Sequence, residues 1–134
     1  MIYRFLKIGR WEVDFFFAPD GYDMSELEDE LNELDAPADI IDEIITIILS
    51  GYKNTGFTYT DSNTLRAVVA IGPSSSRSEF LNTCVHEIHH LAVAIADNLG
   101  IDLEGETPAY IAGDSAFELA DLLCQLGCRR CNDE

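Results

Sequence analysis

The first part of the chain has a pattern of apolar and polar side chains that predicts a β-hairpin. Over residues 11–17 the odd positions are all apolar, and they alternate with Glu12, Asp14 and Phe16. This period of two is typical of a strand with one buried face. Residues 2–8 form another largely apolar run, and Gly9-Arg10 between the two suits a two-residue turn with glycine first. We therefore expect two strands joined by a tight turn.

Two helices and a second hairpin are expected next. Residues 24–34 and 37–49 are predicted to be helical, and the second segment carries a broad stripe of isoleucines between Ile40 and Ile48. Residues 56–60 and 65–71 are rich in β-branched and aromatic side chains and predict two strands. The polar segment 61–64 would join them.

A long helix is predicted over residues 76–99. Ser76 followed by Glu79 matches the capping box that opens helices, and Gly100 is a natural C-terminal stop. Thr107-Pro108 would supply the cap and first residue of a last helix, which ends near residue 124. The pattern predicts one α+β domain over residues 1–134, with a small antiparallel or mixed sheet packed on the long helix and four main helices.

Composition and charge restrict the classes of partner. The 134 residues are 47% hydrophobic, as in an ordinary globular domain, and no apolar run approaches the roughly 20 residues that a membrane span needs. The N-terminus does not resemble a signal peptide, so we expect a cytoplasmic protein. The net charge is −17, from 25 acidic and 8 basic residues. This charge repels polyanions, which argues against nucleic acid and anionic membranes as partners.

The negative charge is concentrated in one segment. Residues 20–43 contain 11 acidic residues and no lysine or arginine. The simpler interpretation is a solvated helical face that keeps the protein in solution. The alternative is a docking surface for a basic partner or substrate.

The predicted long helix carries His86-Glu87-Ile88-His89-His90. Residues four apart lie one above the other on a helix, so His86 and His90 can bind one zinc ion together. Glu87 is one step round the helix, where it can take a proton from a water held on the metal and deliver it to a leaving amine. This is the His-Glu-x-x-His pattern of zinc metallopeptidases.

The surroundings of the motif favour a zinc site over a group of solvated polar residues. Two histidines and a glutamate inside an apolar helix are costly to bury unless something satisfies them. The apolar positions of this helix are Phe80, Leu81, Cys84, Val85, Ile88, Leu91, Ala92 and Ile95.

Zinc in a catalytic site needs a third protein ligand and an open fourth position. The chain has three histidines, all within the motif, and Val93 and Ala96 stand where a metzincin would have glycine and histidine. The third ligand should therefore be a carboxylate from the segment that follows the motif. The candidates are Asp97, Asp102, Glu104, Glu106, Asp114 and Glu118.

The stretch from His86 to Gly113 resembles short zincin-like proteins encoded by bacteriophages and prophages. The shared features are the motif, Gly100-Ile101, and Glu106 ahead of the pair Ala109-Tyr110. The resemblance implies a zincin-like fold and a zinc metallopeptidase of the Glu-type, with Glu106 as third ligand. In zincins a strand just before the active helix runs along the cleft and can pair with an extended peptide. Residues 65–71 are the candidate for that strand.

The predicted activity is hydrolysis of a peptide or protein substrate, a basic one being favoured by the charge, with Glu87 as general base. His89 cannot share the ligand geometry well and is expected beside the ligands or on the cleft wall. Tyr110 could stabilise the oxyanion, although packing on the helix is the simpler interpretation. The alternative function is a non-catalytic interaction module of phage origin that keeps zinc as a structural staple; such a site would not need Glu87.

Cysteines raise one further possibility. Cys124, Cys128 and Cys131 have a spacing also seen at iron–sulfur clusters, but those clusters sit in much larger barrel enzymes. A helix end with spare thiols is the preferred interpretation, and Cys84 is expected in the core.

Overall fold

A computed structural model describes residues 1–101 and 104–132, with side chains described to residue 126. The described residues form an α+β fold with a four-stranded mixed sheet and five helices. In chain order the elements are β1 (Ile2–Ile8), β2 (Trp11–Phe17), α1 (Met24–Glu33), α2 (Ala38–Leu49), β3 (Gly56–Asp61), β4 (Arg66–Ile71), α3 (Arg77–Asn98), α4 (Glu106–Glu118) and α5 (Ala120–Asn132).

The structure confirms the predicted first hairpin. β1 and β2 pair antiparallel from Ile2 opposite Phe17 to Ile8 opposite Trp11. Gly9 has a φ of +60° in the turn between them, which is a conformation that glycine adopts without steric cost.

The strand order places β3, not β4, at the edge beside the long helix. The sheet runs β1-β2-β4-β3, so β4 is paired on both sides, parallel to β2 and antiparallel to β3. The prediction that residues 65–71 offer a free edge to a peptide is therefore wrong. The order could not be foreseen from local pattern because the parallel β2–β4 pair joins segments about fifty residues apart. The strand available at that edge is β3.

The sheet is covered by helices on both faces. On one face Trp11, Val13, Phe15 and Phe17 pack with β4 against α3 and the C-terminal helices. On the other, Phe16 packs with β4 against α1 and α2. The expectation that Phe16 belongs to the polar side of a half-buried strand is wrong, since the second helix layer buries that side as well.

A charged cluster ties the sheet to α1. Asp14 is buried on β2 and accepts a hydrogen bond from the Tyr3 hydroxyl. Arg66 on β4 lies 3.6 Å from Asp14, donates to Glu30 at 3.1 Å and lies 3.7 Å from Glu33. The hydrogen bond between Glu30 and Asp14, burial and nearby negative charges raise the pKa of Glu30 to about 7, against the opposing effect of Arg66. Glu30 is therefore easier to protonate in the folded protein than in the unfolded chain.

The long helix α3 begins and ends where the pattern predicts. The Ser76 side chain accepts a hydrogen bond from the Glu79 amide at 3.1 Å, and Gly100 follows the helix with a φ of +70°. Its apolar face, including Cys84 and Ile88, packs on the sheet. The 22 residues of α3 span roughly 33 Å, so the helix reaches across β4 and β3.

The predicted last helix is two helices. The first, α4, begins at Glu106, two residues before the predicted Pro108, and ends at Glu118; the prediction of Thr107 as the cap is wrong, because Gly105 is the N-cap. The break at Leu119 lets Leu119, Leu122 and Leu126 enter the core beside α3, which local pattern did not indicate. The Cys124 side chain is exposed, and the side chains of the other two tail cysteines lie outside the described residues.

Within residues 1–101 and 104–132, no helix is both long enough and apolar enough to cross a membrane.

Candidate metal centre

His86 and His90 converge on one point in front of α3. Their Nε2 atoms are 3.0 Å apart, and the two rings stand at 80° to each other. Two imidazoles bound to one tetrahedral zinc at about 2.0–2.1 Å place their nitrogens roughly 3.3 Å apart. In the absence of metal the same contact is a hydrogen bond from one ring to the other. The pair thus needs only a few tenths of an ångström of adjustment to act as two ligands of one ion.

Glu87 lies beside this pair but is buried. The residue is 5% exposed, whereas the His86 side chain is 63% exposed. Its Oε2 atom is 3.9 Å from His86 Nε2. A carboxylate in this position can reach a molecule held between the histidines and the cleft floor, as a general base must.

The Thr58 hydroxyl on β3 contacts the same glutamate. It lies 2.9 Å from Glu87 Oε1 and 3.2 Å from the Glu87 backbone carbonyl. The hydroxyl hydrogen can be donated to either acceptor, and the carboxylate is the nearer one. The edge strand β3 therefore holds the side chain of Glu87 from across the cleft, opposite α3.

Gly56 allows α3 to approach β3 this closely. A Cβ added at Gly56 would lie 2.6 Å from the Ala70 carbonyl oxygen, 3.0 Å from Glu87 Cγ and 3.2 Å from Thr83 Cγ2. Real Cβ contacts are essentially never shorter than 3.0 Å. A side chain at this position would thus displace β3 from β4 and press on the Glu87 and Thr83 side chains of α3.

Two cavities adjoin at Glu87 and together are called the cleft. The first lies between α3 and β3, and the second lies between α3 and the segment that leads into β3. They have volumes of about 410 Å³ and 380 Å³ and share Gly56, His86 and Glu87. The first is otherwise lined by Thr58, Thr60, His90 and Ala94. The second is otherwise lined by Ile47, Tyr52, Asn54, Thr55, Asn82 and Thr83. The cleft is open on both sides of Glu87, as an extended chain crossing it would require.

Tyr22 contacts β3 through Phe57, with ring centres 6.5 Å apart. Burial, and then the negative charge of Glu87, raise the pKa of its hydroxyl above the usual range.

Sequence reasoning missed Gly56, Thr58 and Tyr22. A signal for the first two was present, because Gly56, Thr58 and Thr60 occupy alternate positions of a predicted strand and hence one face of it. That β3 is the strand against the motif depends on the sheet order, which local pattern does not give.

The other predicted site residues are not gathered around the histidines. Glu106 is the exposed first residue of α4, and Tyr110 is 66% exposed; neither lines the cleft. His89 is exposed, with its ring centre 6.4 Å from that of His90. Among the described residues there is no group of three or more His, Cys, Asp or Glu side chains arranged to hold a metal ion. Glu106 as third ligand stays a prediction.

The remaining carboxylates that were candidates for the third zinc ligand fall into three groups by position. Asp114 and Glu118 line a separate groove of about 700 Å³ between α4 and β1. Asp97 and Glu104 are exposed and line neither part of the cleft. Asp102 lies outside the described residues.

The chemistry of the cleft is inferred from its own geometry. Its elements are two imidazoles that meet, a buried carboxylate beside them, and a hydroxyl that holds the carboxylate. Neither a scan against models of known protein families nor searches among curated proteins and solved structures finds a match for this chain.

Proposed function

We propose that this chain is a zinc-dependent metallopeptidase of the zincin-like type. The observation that carries the proposal is the convergence of the His86 and His90 Nε2 atoms beside the buried carboxylate of Glu87, at the floor of an open cleft.

The two ligands that the structure brings together, His86 and His90, suit zinc. Two neutral imidazoles on successive turns of a helix are ordinary zinc ligands, and a carboxylate completes many catalytic sites. Glu106 is the favoured third ligand on the resemblance given above. Bound zinc would supply a Lewis acid that polarises the scissile carbonyl and makes water more acidic.

Glu87 performs the proton transfers in this proposal. Its carboxylate accepts the proton of the attacking water and then donates it to the amine that leaves when the peptide bond breaks. Its burial against the Thr58 hydroxyl supports this role, because the contact holds the carboxylate in one orientation.

The cleft suits an extended polypeptide. β3 is an edge strand, and an edge can pair with an added strand through its free backbone groups. The net charge of −17 attracts cationic chains at long range, so basic peptides are the first substrates to test.

The test combines metal analysis with one conservative variant. Tag-free protein purified without added metal should hold about one zinc per chain, and His86→Ala or His90→Ala should abolish binding. Glu87→Gln should keep zinc and fold but lose nearly all hydrolysis of a library of unstructured and basic peptides, since glutamine cannot accept the proton at neutral pH.

Two results would refute the proposal that this chain is a zinc-dependent peptidase. The first is full zinc content in both histidine variants. The second is undiminished cleavage by Glu87→Gln, which would point to a contaminating protease. A wild-type protein that holds zinc but cleaves nothing in the library would favour the non-catalytic module instead.

A further inference from the structure

The edge strand takes part in the proposed chemistry through one hydroxyl. Thr58 is the residue of β3 whose side chain lies within hydrogen-bonding distance of Glu87 Oε1, at 2.9 Å. The hydroxyl also lies 3.2 Å from the carbonyl of Glu87, so it spans the backbone and the carboxylate of the same residue. A contact of this kind restricts the glutamate side chain to one rotamer.

The position of the carboxylate follows from this contact. With Oε1 held by Thr58, Oε2 lies on the side of His86, 3.9 Å from its Nε2 atom. One carboxylate oxygen is thus fixed by the strand and the other is directed to the candidate metal position. Partners of this kind, which orient groups next to a metal, commonly matter as much as the groups they orient.

Gly56 supplies a second, independent observation. The glycine leaves no side chain between β3 and the Glu87 Cγ atom, and an added Cβ would be only 3.0 Å from Cγ. The strand can therefore approach the helix closely enough for the Thr58 hydroxyl to reach the carboxylate. The same face of β3 combines the missing side chain with the hydroxyl that uses the space.

We infer that Thr58 is a positioning residue, whose hydroxyl holds Glu87 in the orientation needed for proton transfer. This inference rests on the proposed peptidase function. Thr58 acts through Glu87 and need not touch the substrate.

The test replaces the hydroxyl without changing the volume. Thr58→Val should lower kcat by about 10–100-fold, the range for partners that orient groups at a metal site, and leave KM and zinc content close to those of the wild type. Thr58→Ser restores the hydroxyl and should recover most of the lost kcat. Thr46→Val is the matched control, because the Thr46 hydroxyl on α2 donates to the Asp42 backbone carbonyl and Thr46 lines neither part of the cleft.

A second measurement needs no turnover. Acetohydroxamate binds zinc through two oxygens and gives up a proton that a neighbouring base can take, so its affinity for the zinc-loaded protein reports on Glu87. Thr58→Val should weaken this affinity in the wild-type background but cause no further loss in the Glu87→Gln background, since the glutamine that Thr58 would still hold cannot take the proton of the hydroxamate.

The outcomes separate the two proposals. Equal losses from Thr58→Val in both backgrounds, or an unchanged kcat, would overturn the positioning role while leaving the peptidase intact. A protein without zinc, or hydrolysis that survives Glu87→Gln, would refute the peptidase and with it the role of Thr58. Failure of Thr58→Ser to recover activity would show that the methyl packing matters rather than the hydroxyl, and would also overturn the inference.

Discussion

Gly56→Ala should destabilise the fold at the candidate site. The new Cβ would lie 2.6 Å from the Ala70 carbonyl oxygen, which belongs to the neighbouring strand and cannot rotate away. Relief requires a backbone shift of at least about 0.4 Å, the difference from the 3.0 Å that real Cβ contacts respect. Because Phe57 pairs with Ala70, this shift disturbs the β3–β4 ladder next to the cleft.

The expected loss can be bounded. Overpacking a well-ordered site costs about 1–3 kcal/mol. Alanine restricts the unfolded chain more than glycine does, which returns about 0.4–1 kcal/mol. With the middle of each range, the net effect should be a loss of about 1.3 kcal/mol in the free energy of unfolding, or a melting temperature lower by about 5 °C.

Urea denaturation monitored by tryptophan fluorescence is a suitable assay, because Trp11 is the single tryptophan of the chain and is buried in the core. Gly113→Ala is the matched control: Gly113 lies within α4, and nothing is within 4 Å of its added Cβ. That substitution should stabilise the protein by up to about 1 kcal/mol through helix propensity. A Gly56→Ala protein that unfolds at the wild-type midpoint, or above it, would refute the close contact of Gly56 with the Ala70 carbonyl of β4.

Three further predictions concern the third ligand, the cap of α3 and the charged cluster. Glu106→Ala should weaken zinc binding more than about 100-fold, beyond the usual effect of groups that only orient ligands; calorimetric titration would show it, and a larger effect from Glu118→Ala would contradict it. Ser76→Ala should cost about 1 kcal/mol in the free energy of unfolding by removing the cap hydrogen bond, and unchanged urea unfolding would contradict this. Because folding raises the pKa of Glu30 from 4.5 to about 7, its contribution to stability is full below pH 4.5 and is lost as the pH rises through 7. After allowance for partial exposure, this loss should be about 1 kcal/mol, and Glu30→Gln should remove the pH dependence.

Local pattern predicted the elements that have strong, uninterrupted signals. Both hairpins and the long helix agree with the structure to within about one residue, because their turns and caps use residues with specific backbone preferences, such as Gly9 and Ser76. The motif itself could be placed on a helix, and the helix then brings His86 and His90 together without any tertiary information.

Tertiary features could not be obtained in the same way. The edge position of β3 depends on the pairing of β2 with β4, and the burial of Phe16 depends on helices packing on a second face. The break at Leu119 similarly reflects the core that receives Leu122. Each depends on a partner distant in sequence, and a period of two or 3.6 residues records which side of an element is apolar but not what covers it.

The burial of Glu87 is easier to explain by the proposed proton transfer than by a contribution to the stability of the fold. A carboxylate that is 5% exposed costs free energy unless polar groups compensate, and the compensation here includes one hydroxyl bond and an imidazole 3.9 Å away. An apolar side chain would fill the space between Gly56 and α3 without that cost. The acid is nevertheless directed toward a cleft beside two converging imidazoles, as a proton acceptor needs to be. Glu87→Gln therefore distinguishes the proton-transfer explanation of this burial from the folding explanation. Glutamine keeps the volume and the bond from Thr58 but cannot accept the proton.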